Sequence, residues 1–344
     1  MMLRLGPDDP RLSWHGSVSL QRTGGWVMPW RIPYKERALF PPGAFAASDE
    51  QSRAAMPAGV RLAFVSDTTL VAGQIVPQQQ ASPLDLCLDG AFHGSAALAG
   101  EQQFRFEDLP SGDKLIELWL PQHGKFCLRA LGLSMGASIA PYDDARPRWI
   151  IYGSSITHCR TAERPTQTWP AIVARARGLN LTCLGYGGNC HLEPMVARMI
   201  RDLPADVLSM KIGINIYNHS SLNLRTFRPA IIGFVQIVRE QHPDTPFAVI
   251  SPIYGCWRET TPNAVGLTLA AMREEVVAAV NTLRADGDRQ LHHFDGLQLF
   301  GSQHTHLLPD DLHPNAEGYT VLGHNFLEQV MLTLYPGYPG RPGN

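Results

Sequence analysis

The sequence predicts an α/β protein: a three-layer α/β/α domain on a parallel five-stranded sheet, preceded by an N-terminal β-sandwich of jelly-roll type. Three observations lead there. At 344 residues the chain exceeds the usual length of one domain. As far as residue 142, apolar runs are short and separated by Pro and Gly, with no long helical pattern. Beyond residue 147 such runs alternate with stretches of helical spacing, the rhythm of a parallel sheet covered on both faces.

In the first half, strands are expected at 59–65, 70–76, 84–90, 103–106, 114–120 and 126–131, with a further apolar stretch toward Ile139. Leu84, Leu86 and Leu88 alternate with Asp85, Cys87 and Asp89, the period of a strand with one buried face. Short strands at this spacing favour a sandwich or jelly roll. Asp143-Asp144-Ala145-Arg146-Pro147 reads as a linker, which gives a sandwich domain at 1–145 and a second domain at 146–344. After it, strands are expected at 148–152, 180–184, 206–212, 246–251 and 291–294. Helices are expected at 168–177, 192–202, 224–241, 267–284 and 316–334. Ligands of such sheets sit at the carboxyl ends of the strands, so the chemistry is sought there.

Composition narrows the field. The formal net charge is −2 and Lys and Arg are scattered, so neither nucleic acid nor a membrane surface is an expected partner. No stretch nears the ~18 apolar residues of a spanning helix. The opening Met1-Met2-Leu3-Arg4 leads into no secretory apolar run, and a cytoplasmic protein is the expectation. Six cysteines without CxxC pairing are expected as free, mostly buried, small apolar side chains, not as disulfides or zinc ligands.

Four strand ends carry reactive residues. Gly153-Ser154-Ser155-Ile156-Thr157 follows the first strand of the second half and holds a serine on a turn, where a nearby base would activate it. Gly185-Tyr186-Gly187-Gly188-Asn189 follows the second, with glycines that let a backbone N–H approach a ligand closely. Gly213-Ile214-Asn215 follows the third and offers a side-chain amide. Near the C-terminus, Asp310-Asp311-Leu312-His313-Pro314 supplies a histidine with a carboxylate to orient it. Each motif alone is an ordinary loop; their conjunction in one α/β half is specific.

These blocks resemble those of the SGNH, or GDSL-like, hydrolase superfamily over roughly residues 148–335. Gly153-Ser154-Ser155 matches its Gly-Asp-Ser block, Gly188 its second-block glycine, Gly213-Ile214-Asn215 its Gly-x-Asn block and Asp310 to His313 its Asp-x-x-His block. Ser154 departs from the usual Asp, Cys183 from a frequent Asn, and Ile216 from a common Asp. A sandwich ahead of Gly-Ser-Ser-Ile-Thr, with the 118–124 run Leu-Trp-Leu-Pro-Gln-His-Gly, also resembles a branch placed among carbohydrate esterases. So do Gly266-Leu267-Thr268-Leu269 and Met272-Arg273-Glu274.

The resemblance implies a flavodoxin-like catalytic domain and a serine esterase mechanism without metal or organic cofactor. Ser155 would be the nucleophile, His313 the base and Asp310 its orienting carboxylate, with Asp311 a turn residue. The oxyanion would be held by the Ser155 and Gly188 N–H groups and the Asn215 amide. The expected substrate is a short acyl, foremost acetyl, ester of a sugar, oligosaccharide or small hydroxylated metabolite. His158, His191, Tyr254 and Trp257 are candidates for substrate contact, each with a loop or core role as the plainer alternative. Three other readings compete. His304, His306, Asp310 and His313 could instead form a zinc site. The chain could be a carbohydrate-binding protein with a silent hydrolase domain, or an acyltransferase using the same triad. The sandwich is also a candidate surface for homo-oligomer formation.

Overall fold

The computed structural model describes residues 2–41 and 52–336. Two compact units divide the chain. The first is Met1–Arg146 with Glu163–Ala171 and Asn180–Cys183; the second is Pro147–Ala162, Ile172–Leu179 and Leu184–Asn344.

The first unit is an antiparallel sandwich. Its described strands are β1 (Met2–Leu5), β2 (Ser13–His15), β3 (Ser19–Arg22), β4 (Val27–Trp30), β5 (Arg61–Ser66) and β6 (Val71–Ile75). They continue as β7 (Leu84–Leu88), β8 (Ala91–Ala96), β9 (Gln103–Phe106), β10 (Lys114–Trp119), β11 (Leu128–Ser134) and β12 (Ala140–Pro141). One sheet runs β3-β4-β11-β6-β9 with β1 on β11; the other runs β12-β5-β10-β7-β8 with β2 on β5. A single apolar cluster joins them, drawing Leu62, Phe64, Leu86 and Leu118 from one sheet and Val71, Phe104, Leu128 and Leu131 from the other.

Two expectations need correction here. The alternation along β7 does not mark a solvent face, because Asp85 and Cys87 are fully buried too. Asp85 is satisfied internally: its carboxylate accepts from Ser95 Oγ, from Thr166 N at 2.9 Å and from Thr166 Oγ1 at 2.6 Å. A carboxylate with several donors is tolerable in the interior. Strands β1 to β4 and β8 also went unanticipated. Most are three or four residues long, too short for a period to show. For β8 a local signal existed: Asp89 and Gly90 both have positive φ, 49° and 84°, and Leu88 pairs with Ala91. That is the Asp-Gly two-residue hairpin.

A five-stranded sheet is formed by β13 (Arg148–Gly153), β14 (Asn180–Gly185), β15 (Val207–Lys211), β16 (Phe247–Ile250) and β17 (Leu291–Phe294), in the order β14-β13-β15-β16-β17. The pairings from β13 through β17 are parallel. Central strands are buried on both faces, which explains their near-continuous apolar runs. Trp149 lies wholly inside, its indole N–H donating to Ser209 Oγ at 2.8 Å. The helices are α1 (Ser155–His158), α2 (Trp169–Arg177), α3 (Pro194–Asp202), α4 (Ile214–His219), α5 (Leu224–Arg239), α6 (Leu269–Ala285), α7 (Gly296–Leu299), α8 (Ala316–Phe326) and α9 (Leu332–Leu334). A π turn at Leu327–Met331 links α8 to α9, so the expected terminal helix is one run with a bulge. No helix among the described residues is long and apolar enough to cross a membrane.

This strand order has its switch point between β13 and β15, where a ligand crevice opens. The end of β14 presses on the backbone of α1: a Cβ at Gly185 would strike His158 N and the Thr157 carbonyl carbon. Backbone cannot swing aside as a side chain can. Gly185→Ala should therefore cost about 1–3 kcal/mol and lower Tm by roughly 2–10 °C; calorimetry showing no change would refute this close approach.

Candidate active site

Ser155 opens α1 directly after β13. Ser154 caps that turn, its Oγ accepting from Ile156 N at 3.3 Å while its carbonyl accepts from Thr157 and His158 N. Serine caps a helix as well as aspartate does, so the departure at Ser154 keeps the local geometry. His313 approaches from the segment between β17 and α8. There Asp310 Oδ1 accepts from Leu312 N at 3.1 Å and His313 N at 2.6 Å. Beyond it, Asn315 caps α8 through Gly318 N at 2.9 Å. The histidine is thus held on both sides.

Its ring completes a continuous chain. His313 Nδ1 lies 2.7 Å from Asp310 Oδ2, and Nε2 lies 2.8 Å from Ser155 Oγ. Facing a carboxylate, Nδ1 carries the proton, so Nε2 accepts from the serine hydroxyl. Partial burial would raise the Asp310 carboxyl, but the ring and backbone N–H groups of His313 outweigh it and hold it below its ordinary range. The Asp310 side chain is 55% exposed, so the role of this contact is to orient the ring. Asp311 turns elsewhere: its backbone has φ 59°, and its carbonyl accepts from Arg258 Nη1 at 2.8 Å.

Three donors at the same sheet edge lack acceptors. Neither Ser155 N, Gly188 N nor Asn215 Nδ2 donates to any described residue, whereas interior donors are ordinarily paired. Asn215 is oriented by its other end, Oδ1 accepting from Cys190 N at 3.2 Å. Gly213 lets α4 begin where it does, since its φ is 118° and a Cβ would stand 2.5 Å from Pro252 Cγ. The loop bearing Gly188 is braced by Glu193, which accepts from Tyr152 Oη at 2.6 Å and from His191 N at 3.2 Å. Burial raises the Glu193 carboxyl despite these donors.

The remaining predicted residues divide. His191 bridges Gly188 O at 3.0 Å and Ser221 Oγ at 2.7 Å, a loop-fixing role. His158 is fully buried, with no surface for a ligand. Tyr254 lines a small pocket with Ile156 and Leu312. Trp257 is 53% exposed, with the Arg258 guanidinium 4.3 Å above its ring. No disulfide joins the cysteines among the described residues, and of the six Cys256 alone is not buried. Among the described residues no group of three or more His, Cys, Asp or Glu side chains is placed to hold a metal ion.

Sequence reading missed Lys211 at the end of β15. It is 2% exposed, and burial pushes its ammonium down to about 8, only partly opposed by Cys190 and Cys159. Nothing in its apolar sequence context marks it, because a strand-end lysine ordinarily faces water.

A parallel sheet in this order, with serine, histidine and carboxylate linked at its carboxyl edge, defines the SGNH class of carboxylic ester hydrolases. The family model for the GDSL-like lipase/acylhydrolase family matches residues 147–330, and that for the SsfX3 N-terminal domain matches 12–129. The chain belongs to the GDSL-like lipase/acylhydrolase family. It is 34% identical to the salicylyl-acyltransferase SsfX3 from a tetracycline biosynthetic pathway, each chain covered to 99%, with a TM-score of 0.89. It shares its fold with a proposed GDSL-like lipase from Bacteroides ovatus (21% identity, 98% of each chain, TM-score 0.78). The fold also matches a family two carbohydrate esterase from Cellvibrio japonicus (13% identity, 97% and 98% of the chains, TM-score 0.65). No curated protein sequence matches significantly.

Two outcomes follow from this geometry. Asp310→Asn should lower kcat on the order of ten-thousandfold, and Asp311→Asn by less than about tenfold; equal losses would contradict the pairing. Lys211→Met should raise stability at neutral pH by about 3 kcal/mol, the equivalent of its depressed pKa. The sign is fixed because the unfolded chain holds that proton more tightly. The penalty is complete below about pH 8 and vanishes as pH nears the unfolded value of about 10.4. Denaturation of both proteins across that range checks it, and a gain that persists at pH 11 would contradict it.

Proposed function

We propose that residues 146–344 form a catalytic domain hydrolysing short acyl, foremost acetyl, esters of a sugar or small hydroxylated metabolite, and that residues 1–145 form a separate sandwich domain. The observation that carries it is the chain from Asp310 through His313 to Ser155 at 2.7 and 2.8 Å. Ser155 Oγ attacks the ester carbonyl carbon and His313 Nε2 takes its proton. The carbonyl–alkoxy bond breaks, and the alcohol leaves with that proton. Water then attacks the acyl-serine, giving up a proton to His313, and the acid departs as Ser155 is restored. The N–H groups of Ser155 and Gly188 and the Asn215 amide hold the oxyanion, each being worth about 2.7–4 kcal/mol in comparable sites. Trp257 suits the alcohol portion: an exposed indole packs well on a sugar ring, and Arg258 ties it to the Asp311 carbonyl beside the histidine segment.

Acyl transfer is a second reading, favoured by the 34% identity over 99% of the chain to a salicylyl-acyltransferase. An alcohol acceptor would then replace water at the acyl-serine, and product analysis with and without added alcohols separates the two. For either, Ser155→Ala should lose about a millionfold in kcat on p-nitrophenyl acetate. Undiminished turnover by that variant would sink the assignment.

A further inference from the structure

A small pocket sits beside the proposed nucleophile. Ile156, Ile214 and Leu312 line it, and each is the chain neighbour of a site residue: Ser155, Asn215 and His313. Ile212, Pro252 and Lys211 complete most of its wall. Its volume is about 10 Å³, room for one water-sized group. The lining is therefore largely aliphatic, with one cation. Lys211 pairs in register with Gly153, at the end of the strand that delivers the serine. Its ammonium makes no hydrogen bond or ion pair with any described residue. A buried charge without a partner is among the costlier features a protein retains, and here it lines an opening instead of packed core.

We propose that this pocket is the acyl subsite and that Lys211 selects two-carbon acyl groups bearing an oxygen beside the carbonyl, so that glycolyl esters are preferred to propionyl. The inference rests on the ester-hydrolase reading. With the carbonyl carbon on Ser155, the acyl C2 stands at the mouth of the pocket and the next heavy atom fills its water-sized room. A hydroxyl there accepts a hydrogen bond from the ammonium; a methyl there leaves the ammonium unsolvated. The two groups are nearly equal in size, so packing does not separate them. An aryl ring or a carboxylate needs more room than the pocket has.

The experiment uses 1-naphthyl acetate, glycolate and propionate with the full chain and with Lys211→Met, each kcat/KM divided by the hydroxide-catalysed rate of the same ester. The full chain should favour glycolyl over propionyl by about ten- to a hundredfold, the range of a hydrogen bond to a charged group. In Lys211→Met that ratio should fall to within about threefold of one. In the unaltered protein the ratio should also decline as pH rises through about 8, where the ammonium loses its proton. This arm decides the matter if the variant does not fold. Acetate hydrolysis with a glycolyl-to-propionyl ratio near one, or a ratio kept by Lys211→Met, overturns the role of Lys211 and leaves the esterase reading standing. No hydrolysis of any ester, with no labelling by a fluorophosphonate, overturns both.

Discussion

The hydrogen bond between His313 Nε2 and Ser155 Oγ, 2.8 Å long, joins residues 158 positions apart, and the second unit is organised so that it can form. The serine must stand where the central strand ends, which the Ser154 cap secures by starting α1 at once. The histidine must arrive from the far end of the chain at a fixed tilt. The Asp310 turn on one side and the Asn315 cap on the other supply that constraint. Both are local devices, a few residues each. The strand order β14-β13-β15-β16-β17 then brings the second and third reactive loops alongside the first.

Four polar groups at this same edge have no partner among the described residues. Most buried donors of a folded chain are satisfied, yet Ser155 N, Gly188 N, Asn215 Nδ2 and the Lys211 ammonium have no acceptor among the described residues. Each omission costs stability that the all-apolar alternative would keep. Open donors at a strand edge of this kind suit a ligand that supplies the acceptor. The contrast with Asp85 is instructive: it is as buried as Lys211, and three donors satisfy it completely. The buried charge of Asp85 is thus paired, and that of Lys211 is left open at the site.

Much of this was legible in the sequence, for physical reasons. The parallel strands read clearly because both faces are buried, which forces runs such as Trp149-Ile150-Ile151-Tyr152. Glycine and serine at strand ends reported the site, since close backbone approach and exposed hydroxyls restrict residue choice. The short strands of the sandwich were not legible, because Ser13–His15 or Val27–Trp30 is too short to display a period, and the Asp89-Gly90 hairpin turn was overlooked. Asp85 and Lys211 were hidden for another reason. Whether a charge at a strand position meets water or a buried neighbour is decided by residues far along the chain, Thr166 for one and the Ser155 loop for the other. The choice between Asp310 and Asp311 likewise needed the turn geometry that points one carboxylate at the ring and the other away.

The central claim is that Ser155, and no neighbour, is the group activated by His313. Tryptic digestion after labelling with a fluorophosphonate isolates the peptide 149–160, which contains Ser154, Ser155, Thr157 and Cys159. Fragment-ion mass spectrometry should place the phosphonyl group on Ser155 in the unaltered protein and find that peptide unmodified in His313→Ala. An adduct on Ser154 or Cys159, or labelling that survives loss of the histidine, would contradict the account.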